Sequence, residues 1–307
     1  MRVACIGECM IEFRELPDGL FTRGYGGDTL NTAVYLARLG VPVDYVTALG
    51  DDSWSEEMLA GWRGEGVGTD RVLRIPGRLP GLYVIQTDAR GERRFSYWRD
   101  TAPARELFDR PETGALAEAL LGYDLLYLSG ISLSLYGPVG RARLHEALER
   151  ARAHGVRIAF DTNFRPRGWP DPATAQAAFA AALASADFVL ASTEDMRLLF
   201  GADRPPALMA HAGRAEIVLK LAEPACAVPA GRPEERIVRA GPVADVVDTT
   251  AAGDSFAAAY LAARLRGAAP AAAAAAGHRL AGAVVRHRGA IIPREAMPSD
   301  LTAPSPD

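Results

Sequence analysis

The chain has 307 residues, of which 49% are apolar and 23% charged, with a net charge of −4 at pH 7. That is enough for a large α/β domain with a sizeable core, and the acidic balance gives no grounds for a nucleic-acid or membrane-surface partner. Three cysteines without a C-x-x-C pair argue against a disulfide framework, and the five histidines lack metal spacing: after His145-Glu146 the fourth position is Glu149, not His.

"RVACIGECMIEF" at 2–13 reads as one buried strand. It follows Met1 with no signal-peptide pattern, and no apolar stretch of membrane-crossing length follows, so a reduced, cytoplasmic protein is expected. "GGDTLNTAVYLARLG" at 26–40 predicts a helix, with Leu30, Ala33, Val34 and Ala37 on one stripe and Gly40 as its stop. A second strand (43–50) and a second helix with Ser and Glu near its start ("DSWSEEMLAGWRGEG") come next. "GLYVIQTDARGERRFSYWRD" at 81–100 breaks the rhythm. It predicts two alternating strands around an Asp-Ala-Arg-Gly turn, and with 10–25 a small β-flap over the main sheet. Strands at 124–129, 156–161, 187–191 and 216–221 then alternate with helical patterns at 138–153, 172–184 and 203–213. Two helices, 252–266 and 270–286, close the chain; the second is alanine-rich, as a packed helix can be. The alternation predicts an α/β fold with a mostly parallel sheet and helices on both faces. Residues 1–307 are read as one domain with a β lid.

Neither G-x-x-x-x-G-K-[ST] nor G-x-G-x-x-G occurs. Phosphate handling therefore falls to "DTTAAGDSF" at 248–256, where small residues precede a helix. Backbone N–H groups from Thr250 to Gly253 would face an anion there. Asp254 has a bland reading, because an acid at a helix start is favoured without any function. Beside an anion hole it also suits phosphoryl transfer, orienting and deprotonating a hydroxyl acceptor, and the helix start is expected to keep it ionised.

"VDTTAAGDSFAAAYLAARL" resembles the C-terminal signature D-T-T-G-A-G-D-x-F of the ribokinase-like (PfkB) sugar kinases, and "GGDTLNTAVYLARLG" resembles their N-terminal signature G-G-x-x-x-N-x-A. Similarity to a subgroup acting on a keto-deoxy sugar acid extends through "IGECMIEF", "LYLSGISL" and "RGAIIPREAMP", over nearly the whole chain. The resemblance implies a ribokinase-like three-layer fold with a small β-sheet lid, ATP and Mg²⁺ as cofactors, and Asp254 as the base. It makes Ala251, Ala252 and Gly253 the anion hole, with Thr250 at its edge; Ala251 stands where most of the family has glycine. Gly27 and Asn31 match the sugar-binding glycine and asparagine, four apart on one helix face. Tyr83, Tyr97 and Arg99 on the flap, and Arg165 after the strand at 156–161, become a wall and cations for the substrate's carboxylate. Ser192 and Asp195 take the place of the family's N-x-x-E pair, which implies contact between Asp195 and the metal, through water. Lys220 matches a phosphate-contacting lysine, although Ala222 and Pro224 replace the usual flexible residues. His278 is an adenine-pocket candidate.

The expected activity is ATP-dependent phosphorylation of an acidic sugar. The rival enzyme is a fructokinase- or ribokinase-type kinase of a neutral sugar, and Arg99 and Arg165 speak against it, since guanidinium groups suit carboxylates. The rival of another class is a sugar sensor without catalysis, which would not need Asp254. The expected partners are a small sugar acid and ATP, with no nucleic acid and no membrane. The flap is also a candidate dimer surface, and a homo-oligomer, a dimer or larger, is expected.

Overall fold

The computed structural model describes residues 1–16, 18–87 and 93–302. The predicted Asp-Ala-Arg-Gly turn at 88–91 lies outside the described residues. Strands β1 (Val3–Ile6), β2 (Met10–Glu15), β3 (Phe21–Gly26), β4 (Val43–Leu49), β5 (Val72–Arg74), β6 (Leu82–Thr87) and β7 (Arg93–Trp98) belong to the N-terminal part. β8 (Leu125–Ser129), β9 (Arg157–Asp161), β10 (Phe188–Ser192), β11 (Glu216–Lys220), β12 (Ala225–Val228) and β13 (Arg236–Arg239) follow. The described helices are α1 (Asp28–Arg38), α2 (Ser53–Gly64), α3 (Thr113–Leu120), α4 (Gly130–Leu135), α5 (Pro138–Ala153) and α6 (Pro172–Ser185), then α7 (Thr193–Phe200), α8 (Pro206–Met209), α9 (Ala252–Leu265), α10 (Pro270–Val284) and α11 (Ser299–Thr302).

The main sheet runs β13-β12-β11-β10-β9-β8-β1-β4-β5. It is parallel from β11 to β5, and β12 and β13 extend it antiparallel. Its central strands are continuous apolar runs because both faces are covered. In β1, Val3 and Cys5 enter the core beneath α1, α9 and α10, while Ala4 and Ile6 enter the opposite core beneath α5 and α6. In β8, Leu125 and Tyr127 alternate with Leu126 and Leu128 in the same way. The expected architecture of a mostly parallel sheet between two helical layers is therefore borne out.

The segment 2–13 is not one strand. β1 ends at Ile6 and β2 starts at Met10 in a different sheet, with order β3-β2-β6-β7. Uniform burial along Val3–Ile11 hid the break, because both strands bury their residues. Four helices, α3, α4, α7 and α11, were not read from the sequence at all. α4 and α7 are short and each begins on the last residue of a strand or next to it, with Ser129 and Ser192 as caps. The helix expected at 203–213 shrinks to α8. Among the described residues no helix is long and apolar enough to cross a membrane.

Candidate active site

In a parallel sheet every strand points its C-terminal end to the same edge, and ligands collect there. Here that edge carries Glu8 after β1, Asp161 at the end of β9, Ser192 at the end of β10 and Lys220 at the end of β11. Ser192 and Lys220 are register neighbours. Lys220 Nζ lies 3.3 Å from both carboxylate oxygens of Asp161. Burial alone would lower the Lys220 pKa, but Asp161 and Asp195 outweigh it and hold the ammonium charged.

α9 points its N-terminus into this cluster. A Cβ on Gly253 would sit 3.7 Å from Lys220 Nζ, so the lysine stands directly over the helix mouth. Thr250 N–H and Oγ1 both donate to Asp248 Oδ1, at 3.0 and 2.6 Å, and Ala252 N–H donates to Thr249 O at 3.2 Å. Ser255 N–H is bonded to Ala251 O at 2.9 Å and starts the helical ladder. Two of the four N–H groups expected to face an anion are thus engaged within the turn. Those of Ala251, Gly253 and Asp254 are the better placed ones.

Ala251 is the cap of α9 with φ 60° and ψ 13°, in the left-handed region. This is the physical reason a glycine suits the position, and alanine carries a strain of about 1–2 kcal/mol there. Part of that is offset because glycine is the more flexible residue when unfolded. Ala251→Gly should therefore stabilise the protein by up to about 1 kcal/mol, or leave it unchanged. A thermal or urea melt showing a loss of more than that amount would contradict the conformation.

Asp254 Oδ2 accepts a 2.8 Å hydrogen bond from Asn31 Nδ2 on α1. Thr32, next to Asn31, donates to the Asp254 backbone carbonyl at 3.3 Å. The two segments quoted as signatures, 223 residues apart, therefore meet through their polar side chains. The sequence-based view that Asp254 stays ionised does not hold. Burial, then the Asp28 carboxylate, push its pKa up to about 8 despite the Asn31 bond. The helix dipole is outweighed first by burial and then by Asp28 and Asp161 in the same cleft. Asp28 accepts from Asn163 Nδ2 at 2.7 Å, and Asn163 adopts a positive φ of 28°.

Asp195 lies further along the edge, buried. It accepts from Thr162 Oγ1 at 2.7 Å, and its own N–H is capped by Ser192 Oγ at 3.0 Å. His278 is half-buried on α10, with Nε2 3.0 Å from Val238 O and its ring edge-on to Phe256 at 5.0 Å. It borders a groove of about 720 Å³ that also exposes Arg239, Arg279 and Arg286 alongside Val243. Burial lowers the His278 pKa, so the ring is neutral at pH 7.

The second sheet is joined to this edge by charged contacts. Tyr83 is buried, donates to Glu12 Oε2, and packs with its ring centre 5.8 Å from that of Tyr97, tilted by 32°; Tyr97 is exposed. The Arg99 guanidinium lies 5.9 Å from the Tyr97 ring. Arg99 also forms an ion pair with Glu8, whose side chain is only 1% exposed. Gly81 permits this, since a Cβ there would meet Glu8 Oε1 at 3.0 Å and Arg99 Cβ at 3.1 Å. Arg165 sits beyond β9, exposed, and donates to Phe164 O at 2.9 Å. Gly27 has an extended φ of −176°, and its need for glycine is spatial: a Cβ would collide with the Glu8 carbonyl.

The sequence reading missed Glu8, Asp28, Asp161 and Asn163. Ligands gather at the C-terminal ends of parallel strands, and that signal, which fits Arg165, applies equally to Asp161 and Asn163 in "DTNFRP". Glu8 carried no such signal while 2–13 was read as one strand.

A parallel sheet between helical layers, with a carboxylate at a helix mouth and an asparagine from the first helix on its C-terminal edge, has the ribokinase-like architecture of sugar kinases. The chain belongs to the pfkB family of carbohydrate kinases, which it matches over residues 1–297. It is 45% identical to the 2-dehydro-3-deoxygluconokinase of Dickeya dadantii (strain 3937), over 97% of this chain and 98% of that protein. With the Escherichia coli (strain K12) enzyme of the same name it shares 44% identity, over 97% and 99%. Among solved structures, a fructokinase with bound ATP from Xylella fastidiosa superposes with a TM-score of 0.78 at 27% identity, covering 97% of this chain and 95% of that one.

Proposed function

We propose that this protein is an ATP-dependent kinase that transfers a phosphoryl group to the terminal hydroxyl of 2-keto-3-deoxygluconate, giving the 6-phosphate. The observation that carries this reading is the 2.8 Å bond between Asn31 and Asp254, in a chain 45% identical over nearly its full length to a 2-dehydro-3-deoxygluconokinase. Asn31 and Gly27 hold the sugar against α1, and Tyr83 and Tyr97 wall it from the second sheet, which acts as the lid. Arg165, with Arg99, meets its carboxylate. Asp254 orients the acceptor hydroxyl and takes its proton as the bond to phosphorus forms. In a loose transition state charge gathers on the phosphoryl oxygens, and the N–H groups of Ala251, Gly253 and Asp254 with Lys220 are placed to balance it. Ala252 and Thr250 complete the turn.

ATP fits the groove beside His278, where three arginines and an apolar floor suit a nucleotide. Mg²⁺ fits the charge at the edge, where Asp161 and Asp195 face the Lys220 ammonium. Among the described residues no three His, Cys, Asp or Glu side chains converge on one point. The ion is therefore expected to be held mainly by phosphates and water, with Asp195 and Ser192 reached through water; bound, it neutralises phosphate charge. Asp195→Asn should raise the Mg²⁺ concentration giving half-maximal rate by several-fold. An unchanged Mg²⁺ titration would remove Asp195 from the nucleotide side.

Phe21 and Trp98 leave apolar side chains exposed on the second sheet, on the face opposite Tyr83 and Tyr97, which we read as the contact of a homo-oligomer, a dimer or larger. Three buried free cysteines suit a reducing cytoplasm. Phosphorus NMR of the product tests the reaction: a new phosphate monoester coupled to the C6 protons is expected, and ATP left intact beside this sugar would contradict it.

A further inference from the structure

A polar chain runs from the second sheet to the turn before α9, and its middle members, Glu12 and Arg14, have no part in the mechanism above. They are two apart on β2 and therefore point to the same side. Glu12 is the register partner of Tyr83 and accepts its hydroxyl proton. Arg14 Nη2 donates to Glu12 Oε1 at 3.2 Å, and its Nη1 lies 3.6 Å from Asp248 Oδ2. Asp248 in turn pins the turn from both sides. Its Oδ1 receives Thr250 N–H and hydroxyl, and its Oδ2 receives Gly289 N–H at 3.0 Å. This is not an ordinary surface pair, for which about 0–1 kcal/mol would be the norm. The Asp248 side chain is 3% exposed, Glu12 18% and Arg14 25%.

We infer that Glu12 and Arg14 are positioning residues that couple the sugar-facing wall at Tyr83 to the anion-holding turn at 248–254. The inference rests on the kinase reading for the roles of Tyr83 and the turn. A sugar pressed against Tyr83 fixes its hydroxyl on Glu12. Glu12 fixes one edge of the Arg14 guanidinium, and the other edge fixes Asp248. The turn that balances charge on the phosphoryl group in transfer is then set only when the sugar wall is in place. A planar guanidinium with separate donor edges suits this bridging, whereas an ammonium offers one point charge.

The test is calorimetric. ATP–Mg²⁺ is titrated into protein with and without saturating 2-keto-3-deoxygluconate, in an Asp254→Asn background so that both ligands stay intact. Arg14→Met, Arg14→Lys and Glu12→Gln are compared with the unaltered pair, and thermal melts check folding. ATP binding should tighten several-fold when sugar is present. That linkage should vanish in Arg14→Met and Glu12→Gln and return in part in Arg14→Lys, while each ligand alone binds within about threefold of normal. With Asp254 restored, Arg14→Met should lower kcat at least about tenfold with little change in sugar KM, since small misplacements are costly in transfer reactions. Tyr83→Phe added to Arg14→Met should cost no more than Arg14→Met alone. Undiminished linkage in Arg14→Met, or absence of linkage in the parent, overturns the inference, as do multiplying kinetic losses in the double variant. Failure of the kinase reading shows separately, as absence of phosphoryl transfer by the unaltered enzyme.

Discussion

Asp254→Asn is expected to fold, bind both substrates and lose at least ~10²-fold in kcat, the scale on which a positioned general base contributes. The amide keeps the shape and one hydrogen-bonding edge for Asn31, so binding should be spared. The same substitution should stabilise the fold. A carboxyl whose pKa rises from about 4 unfolded to about 8 folded holds its proton better in the native state. Between those values the folded form binds more protons than the unfolded one, so stability falls as pH rises through this window. Tm of the Asn variant should therefore match wild type in acid and exceed it increasingly towards pH 8. In the active enzyme the rate should climb with pH towards a plateau above about 8, as the base loses its proton. Turnover within a few-fold of wild type would remove Asp254 from the chemistry, and a lowered Tm at pH 8 would contradict the burial that raises its pKa.

Arg165→Ala should lower kcat/KM for 2-keto-3-deoxygluconate by about ten- to 150-fold, the ~1.5–3 kcal/mol of one charge-assisted bond, and hardly touch fructose. Lysine should rescue only partly, because a point charge does not reproduce the planar fork. Arg99→Ala should narrow the same preference, with a second consequence. It strips the cation from Glu8, a buried carboxylate, and breaking such a pair is far costlier than losing a surface contact. Tm should fall markedly for Arg99→Ala and little for Arg165→Ala, whose side chain is exposed and donates to its neighbour's carbonyl. Glu8→Gln in the Arg99→Ala background should recover Tm without recovering the acid preference. If both arginine variants lose equally on acid and neutral sugar, these side chains serve folding or nucleotide instead.

The alternation of strand and helix was legible because β8 to β11 have apolar centres and because the long α5 and α6 separate β8, β9 and β10. Gly7 did not announce itself as the border between two sheets, since the residues on both sides are buried. The meeting of Asn31 with Asp254 was implied by resemblance alone; no local pattern links residues 223 apart. The protonation of Asp254 was misjudged for a related reason. A helix start is visible in sequence, but the approach of Asp28 and Asp161 from two other elements is a product of folding. For Arg99 the sequence suggested a cation for the substrate, and the fold adds a second role for it as the partner of buried Glu8.

The most direct measurement is ADP release by the unaltered enzyme with Mg²⁺-ATP, compared across 2-keto-3-deoxygluconate, gluconate, fructose and ribose. The structure and its arginines predict that kcat/KM for 2-keto-3-deoxygluconate exceeds that for either neutral sugar by at least about tenfold, one charge-assisted bond's worth. Equal or better turnover of fructose or ribose, or no sugar-dependent ADP release with any of the four, would contradict it.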